Sequence, residues 1–180
     1  MLVGEAPGKR EDDLEKPFQG KSGQLLDKIL LTHGLTRQHV YITNICRCRP
    51  KDNRKPVHTE AEACEKYLVQ ELSIIQPRVV VTLGGTALRA MTGFGKVSVF
   101  RGRPIFPKSW GLMIIPTWHP SYCIRNGGEQ QLAKYLETGK RKVEWSVFQL
   151  MDDIGLAVEG LGTKIPWNVR RKRCGSSRTV

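Results

Sequence analysis

The chain has 180 residues, with 29 Lys and Arg against 17 Asp and Glu, and a formal charge of +12. That length suits one domain with a sizeable core, and an apolar content of 39% excludes a disordered, collagen-like or disulfide-dense chain. Apolar runs are all too short to span a membrane, and the early Glu5 predicts no signal peptide.

The predicted elements begin with a strand at Leu2-Val3-Gly4, which runs into a loop broken by glycine and proline. Apolar residues in Gln24–Leu31 fall on one helical face, with Gly34 as a C-terminal cap. Val40–Asn44 reads as a short strand. A helix is predicted to start at Thr59, a hydroxyl cap followed by Glu60 and Glu62, and to stop at Gln76-Pro77. Arg78–Leu83 reads as a buried strand that turns through Gly84-Gly85 into a helix over Thr86–Met91. Residues 93–111 read as loop with a short strand near Ile105. Leu112–Ile115 is the next buried strand, ended by Pro116. A long helical stretch follows from Glu129, divided near Gly139. Strand and helix alternate four times, which predicts an α/β fold: a parallel sheet with helices on both faces. Residues 1–161 make the domain, and 162–180 a flexible basic tail carrying six Lys and Arg and no acid.

The charge favours a polyanionic partner, nucleic acid first. Five cysteines in a chain without a secretory signal point to free thiols or metal ligands, and to a cytoplasmic setting.

Ligands of an open α/β sheet gather beyond the carboxyl ends of the strands, so the loops there are where chemistry is expected. Gly4-Glu5-Ala6-Pro7-Gly8-Lys9 has the wrong spacing for a P-loop, which excludes that route to triphosphate hydrolysis. Its glycines let backbone N–H groups approach a flat ligand. Glu11, Asp12, Asp13 and Glu15 form an acidic cluster that is either a solvated loop or a source of one carboxylate near the reacting centre. Asn44 at a strand end is either a turn former or a reader of a base edge, because its amide offers a donor beside an acceptor. Arg47, Arg49, Lys51, Arg54 and Lys55 follow it and suit phosphates. Cys46, Cys48, His58 and Cys64 are either buried groups or metal ligands, weakly patterned for zinc. His119, between Pro116 and Pro120, can donate to a developing anion, with Trp118, Ser121, Tyr122 and Arg125 beside it.

Four motifs in register carry a resemblance. Gly4-Glu5-Ala6-Pro7-Gly8 with Glu11-Asp12, Pro17-Phe18 with Gly20-Lys21 and Gly23, Asn44 with Cys48-Arg49-Pro50 and Asn53-Arg54, and His119-Pro120-Ser121 are similar to family-4 uracil-DNA glycosylases. The resemblance covers residues 1 to about 125 and implies a three-layer α/β/α sandwich on a four-stranded parallel sheet. It implies a DNA-repair glycosylase, a monomer acting on uracil-containing DNA, that hydrolyses the N-glycosidic bond and leaves an abasic site. Phe18 would stack on the base, Asn44 would read its edge, and Gly4, Glu5 and Ala6 would bring backbone towards it. His119 would stabilise charge on O2. Glu11 would sit beside the pocket, either screening out thymine's methyl group or placing water. Arg47, Arg49, Arg54, Ser121 and Arg125 would contact DNA. Ala6 stands where other branches carry a catalytic Asp, which suits a dissociative mechanism. The family's [4Fe–4S] cluster is implied with only two of its four ligands present, Cys48 and Cys64, because the other pair falls ahead of the first strand. The alternative is a glycosylase-like DNA-binding module without turnover.

Overall fold

The computed structural model describes residues 1–142 and 144–161. The expected basic tail at 162–180 therefore lies outside the described residues.

Four short strands, β1 (Leu2–Gly4), β2 (Ile42–Asn44), β3 (Val79–Leu83) and β4 (Met113–Thr117), form one sheet in the order β2-β1-β3-β4. Every pairing is parallel, with Gly4 opposite Asn44 and Leu83 opposite Thr117, so the strands end together at one edge. β1 and β3 are buried at every residue and almost wholly apolar because both of their faces are covered. Side chains alternate between two cores. Leu2, Val79, Val81, Leu83, Met113 and Ile115 face one layer. That layer holds α2 (Lys21–Thr32), α6 (Pro120–Arg125), α7 (Gly128–Thr138) and α8 (Ser146–Gly160). Val3, Val80 and Ile114 face the other, with α3 (His58–Ile75) and α4 (Gly85–Thr92). The three-layer α/β architecture is thus the one the alternation predicts. Two shorter helices, α1 (Lys9–Leu14) and α5 (Val97–Phe100), lie in connections.

Three local expectations are corrected. The α3 helix starts before Thr59: Glu60 Oε2 accepts from the Val57 N–H at 2.9 Å, so the cap lies two residues ahead of where the hydroxyl signal placed it. Residues 97–100, read as loop, are the short helix α5. Pro116 does not end β4 but lies inside it. Ile114 exchanges both backbone bonds with Ile105 on the outer side, and the Pro116 carbonyl accepts there from Gly102 N–H. Two residues on, the Pro116 nitrogen therefore faces the same outer side and costs the sheet no bond.

Candidate active site

The carboxyl ends of the four strands bring Gly4, Asn44, Gly84 and His119 to one edge of the sheet. At β1 and β2, the carbonyls of Gly4 and Glu5 accept from the N–H groups of Ile45 and Cys46, both at 3.0 Å, and fix the two loops side by side. Glu5 is held further by Thr86 Oγ1, which donates to Glu5 Oε2 across from α4.

Asn44 is 5% exposed, and its Oδ1 is buried without a hydrogen-bond partner. An acceptor left in that state costs about 1–3 kcal/mol, so the site is built for a donor that the protein itself does not supply. A Cβ added at Gly4 would overlap Asn44 Oδ1 and the Phe18 ring. Glycine at this position therefore lets the amide and the aromatic face meet across the strand end. Phe18, buried at 5% exposure, has its ring centroid 5.7 Å from that of His119.

His119 caps α6. The Ser121 N–H donates to His119 Nδ1 at 3.1 Å, and Ser121 Oγ lies 2.7 Å from the same nitrogen. An Nδ1 that accepts a backbone N–H leaves the ring proton on Nε2. Burial, then the charge of Arg125, push the ring's pKa down to about 4 against a weaker upward pull from Glu11. The histidine is consequently a neutral Nε2–H donor at neutral pH. A Cβ at Gly84, with φ +94°, would stand 3.1 Å from His119 Cβ, so the left-handed turn after β3 makes room for the histidine.

Glu11 is not free in solvent. Its Oε1 accepts from the N–H groups of Gln19 and Gly20, both at 2.7 Å, in the loop that carries Phe18. Of the residues expected at phosphates, Arg125, Ser121 and Lys55 line the groove that runs past His119. Arg47 does not join them, because its Nη2 pairs with Glu71 at 2.8 Å and its Nη1 donates to Thr43. Arg49 Nε donates to Asn53 Oδ1 at 2.8 Å, and Arg54 grips Glu60 with two bonds of 2.7 and 2.8 Å.

A buried network below His119 was missed in the sequence. Asp153 on α8, 2% exposed, accepts from Thr117 Oγ1 at 2.7 Å and from Arg101 at 2.7 and 3.1 Å. Burial raises its pKa, while Thr117 and Arg101 pull the other way. The adjacent Trp118 Nε1 donates to Gln149 Oε1 at 2.7 Å, also on α8. The one available signal was an acid in a strongly apolar helix.

Cys48 is exposed and Cys64 half-buried. Cys64 Sγ accepts from Arg47 N–H at 3.5 Å. Cys46 is buried, and its thiol pKa is pushed up to about 11 by burial and by neighbouring Cys64. Among the described residues, no group of three or more His, Cys, Asp or Glu is placed to hold a metal. Cys48 and Cys64 are two of the four thiolates that a four-thiolate cluster needs. No helix among the described residues is long and apolar enough to cross a membrane.

The chain is similar in sequence to known proteins. The profile of the Uracil DNA glycosylase superfamily matches residues 1–140. The type-4 uracil-DNA glycosylase of Thermotoga maritima is 45% identical over 130 residues, covering 70% of this chain and 66% of that protein. Its counterpart in Archaeoglobus fulgidus is 40% identical over 150 residues, 79% of this chain and 74% of the relative. The Pyrobaculum aerophilum protein is 46% identical over 132 residues, 69% and 67% of the two chains.

Proposed function

Because the chain belongs to the uracil-DNA glycosylase superfamily, in its type-4 branch, we infer that it removes uracil from DNA by hydrolysing the N-glycosidic bond. The observation that carries this reading is the buried, unpartnered Asn44 Oδ1 between Gly4 and Phe18. Uracil offers the donor it lacks: its N3–H gives to Oδ1, while the Asn44 amide N–H gives to O4. Cytosine presents an acceptor at N3 and a donor at position 4, wrong at both contacts, and a buried polar mismatch of that kind discriminates strongly.

Reaching this slot requires the nucleotide to leave the base stack, at a cost of about a few kcal/mol. Phe18 supplies the stacking face that the base loses. As the C1′–N1 bond breaks, its electron pair passes to the base and spreads onto O2 and O4. The His119 Nε2–H donates to O2, and a neutral donor aimed at developing charge in a dry site stabilises it more than water does. Water then adds to the sugar cation at C1′, its oxygen bonding there and its proton leaving to solvent. This order needs no strong base at Ala6. Glu11, already bonded to Gln19 and Gly20, serves to hold the Phe18 loop rather than to move protons. Arg125 is the cation best placed for a phosphate, since Arg47 and Arg54 are paired.

The test is excision on labelled single- and double-stranded oligonucleotides containing one uracil, followed by alkaline cleavage. Breaks only at uracil, falling about 100-fold or more in Asn44→Ala and His119→Ala, are expected. Binding to DNA without breakage would instead favour a glycosylase-like binding module.

A further inference from the structure

Phe18 has φ +55°, in the left-handed region that side-chain-bearing residues avoid, so its backbone has to be held there. Two side chains of opposite charge hold it. Arg37 Nη1 donates to the Pro17 carbonyl at 3.0 Å and Nη2 donates to the Phe18 carbonyl. Glu11 takes the next two N–H groups, those of Gln19 and Gly20. Four consecutive residues are thus fixed by one guanidinium and one carboxylate.

The guanidinium is itself oriented. Arg37 Nε donates to Asp27 Oδ1 at 2.7 Å and Nη2 to Oδ2 at 3.2 Å. Asp27 sits on α2, whose Leu25, Leu26, Ile29 and Leu30 are buried in the core. A Cβ at Gly23 in the same helix would run into the Phe18 carbonyl, so α2 packs directly on the group that Arg37 grips. The clasp is therefore anchored on a rigid element and reaches the site through two adjacent peptide carbonyls. Only a planar fork of donors spans two carbonyls and a carboxylate at once; a lysine ammonium is a single point.

We propose that Arg37, oriented by Asp27, is a positioning residue for base recognition, holding the Phe18 ring across the slot beside Asn44. The proposal rests on the uracil reading above and adds a residue that acts on the base through the Phe18 backbone.

The test uses the full chain carrying Arg37→Met, which keeps the length of the stem and removes the donors, and Arg37→Lys. Measured are amide exchange at Gln19 and Gly20, inhibition by free uracil, and kcat and KM on the uracil oligonucleotide well below the unfolding temperature. In Arg37→Met, exchange at both amides should rise locally and free uracil should inhibit more weakly. The loss of about 10- to 100-fold in kcat/KM should fall on kcat, because the substitution disturbs the placing of the base and leaves the phosphate-binding cations untouched. Arg37→Lys should recover part of each. Unchanged loop exchange together with unchanged uracil inhibition would overturn the proposal. So would exchange that rises equally throughout the core, which is the mark of a merely structural role. A wild type that excises nothing would remove the uracil reading itself. The amide measurement needs no substrate, and a local rise then sustains the clasp while its absence overturns it.

Discussion

His119 should make the protein's stability rise with pH through the weakly acidic range. Its pKa is lowered to about 4, first by burial and then by Arg125, while the unfolded chain returns it to the ordinary value of 6.5. Between those values the unfolded state binds a proton that the folded state does not, so stability is complete above 6.5 and is lost as pH falls towards 4. At about 1.4 kcal/mol per pH unit, the loss over that window comes to about 3 kcal/mol. Protonation also sets an N–H at Nδ1 against the Ser121 N–H that Nδ1 now accepts. The assay is urea unfolding at a series of pH values across the window, for wild type and His119→Gln. Carboxylates titrate in both proteins, so the difference between the two slopes isolates the histidine. The wild type should show the steeper rise with pH. Identical slopes would refute the neutral imidazole. So would a step in the excision rate near pH 6.5, because the ring should already be neutral there.

Asp153→Ala strips half-buried Arg101 and buried Thr117 of their shared acceptor and should cost about 1–3 kcal/mol in urea unfolding, since the Thr117 hydroxyl is left without a partner. Gly4→Ala should leave the fold intact but cut kcat/KM by about 100-fold, because its Cβ displaces both Asn44 Oδ1 and Phe18; normal activity would disprove that contact. Arg125→Ala should reduce the slope of DNA affinity against salt by about one, whereas Arg47→Ala should leave it unchanged because that guanidinium is paired with Glu71.

The alternation of short apolar runs with helical patterns gave the sheet, its helices and the edge where the site lies. Asn44 and His119 could be read because both stand where strands end, and a parallel sheet brings all such ends together. The electrostatics could not be read in the same way. Arg47 looked free beside Asn44, yet Glu71, which neutralises it, is one helix later in the chain. Glu11 could be read only as a carboxylate near the reacting centre, because its partners are backbone N–H groups, and sequence does not display those. Phe18 gave no sign of its left-handed backbone, since tertiary contacts and not its own preference impose it. Pro116 misled for a related reason: whether proline breaks a strand depends on which way its nitrogen points.

That outward nitrogen bears on how the molecule behaves in company. An open flank of a sheet is a template on which another chain can lay a strand, and the route to aggregation begins there. Here one flank, β4, offers no N–H at Pro116 and has Ile114 already spoken for by Ile105. The opposite flank, β2, is three residues long, which gives an incoming strand little to grip. Among the described residues, copies crowded along one polyanion therefore have no ready sheet edge through which to stick to one another.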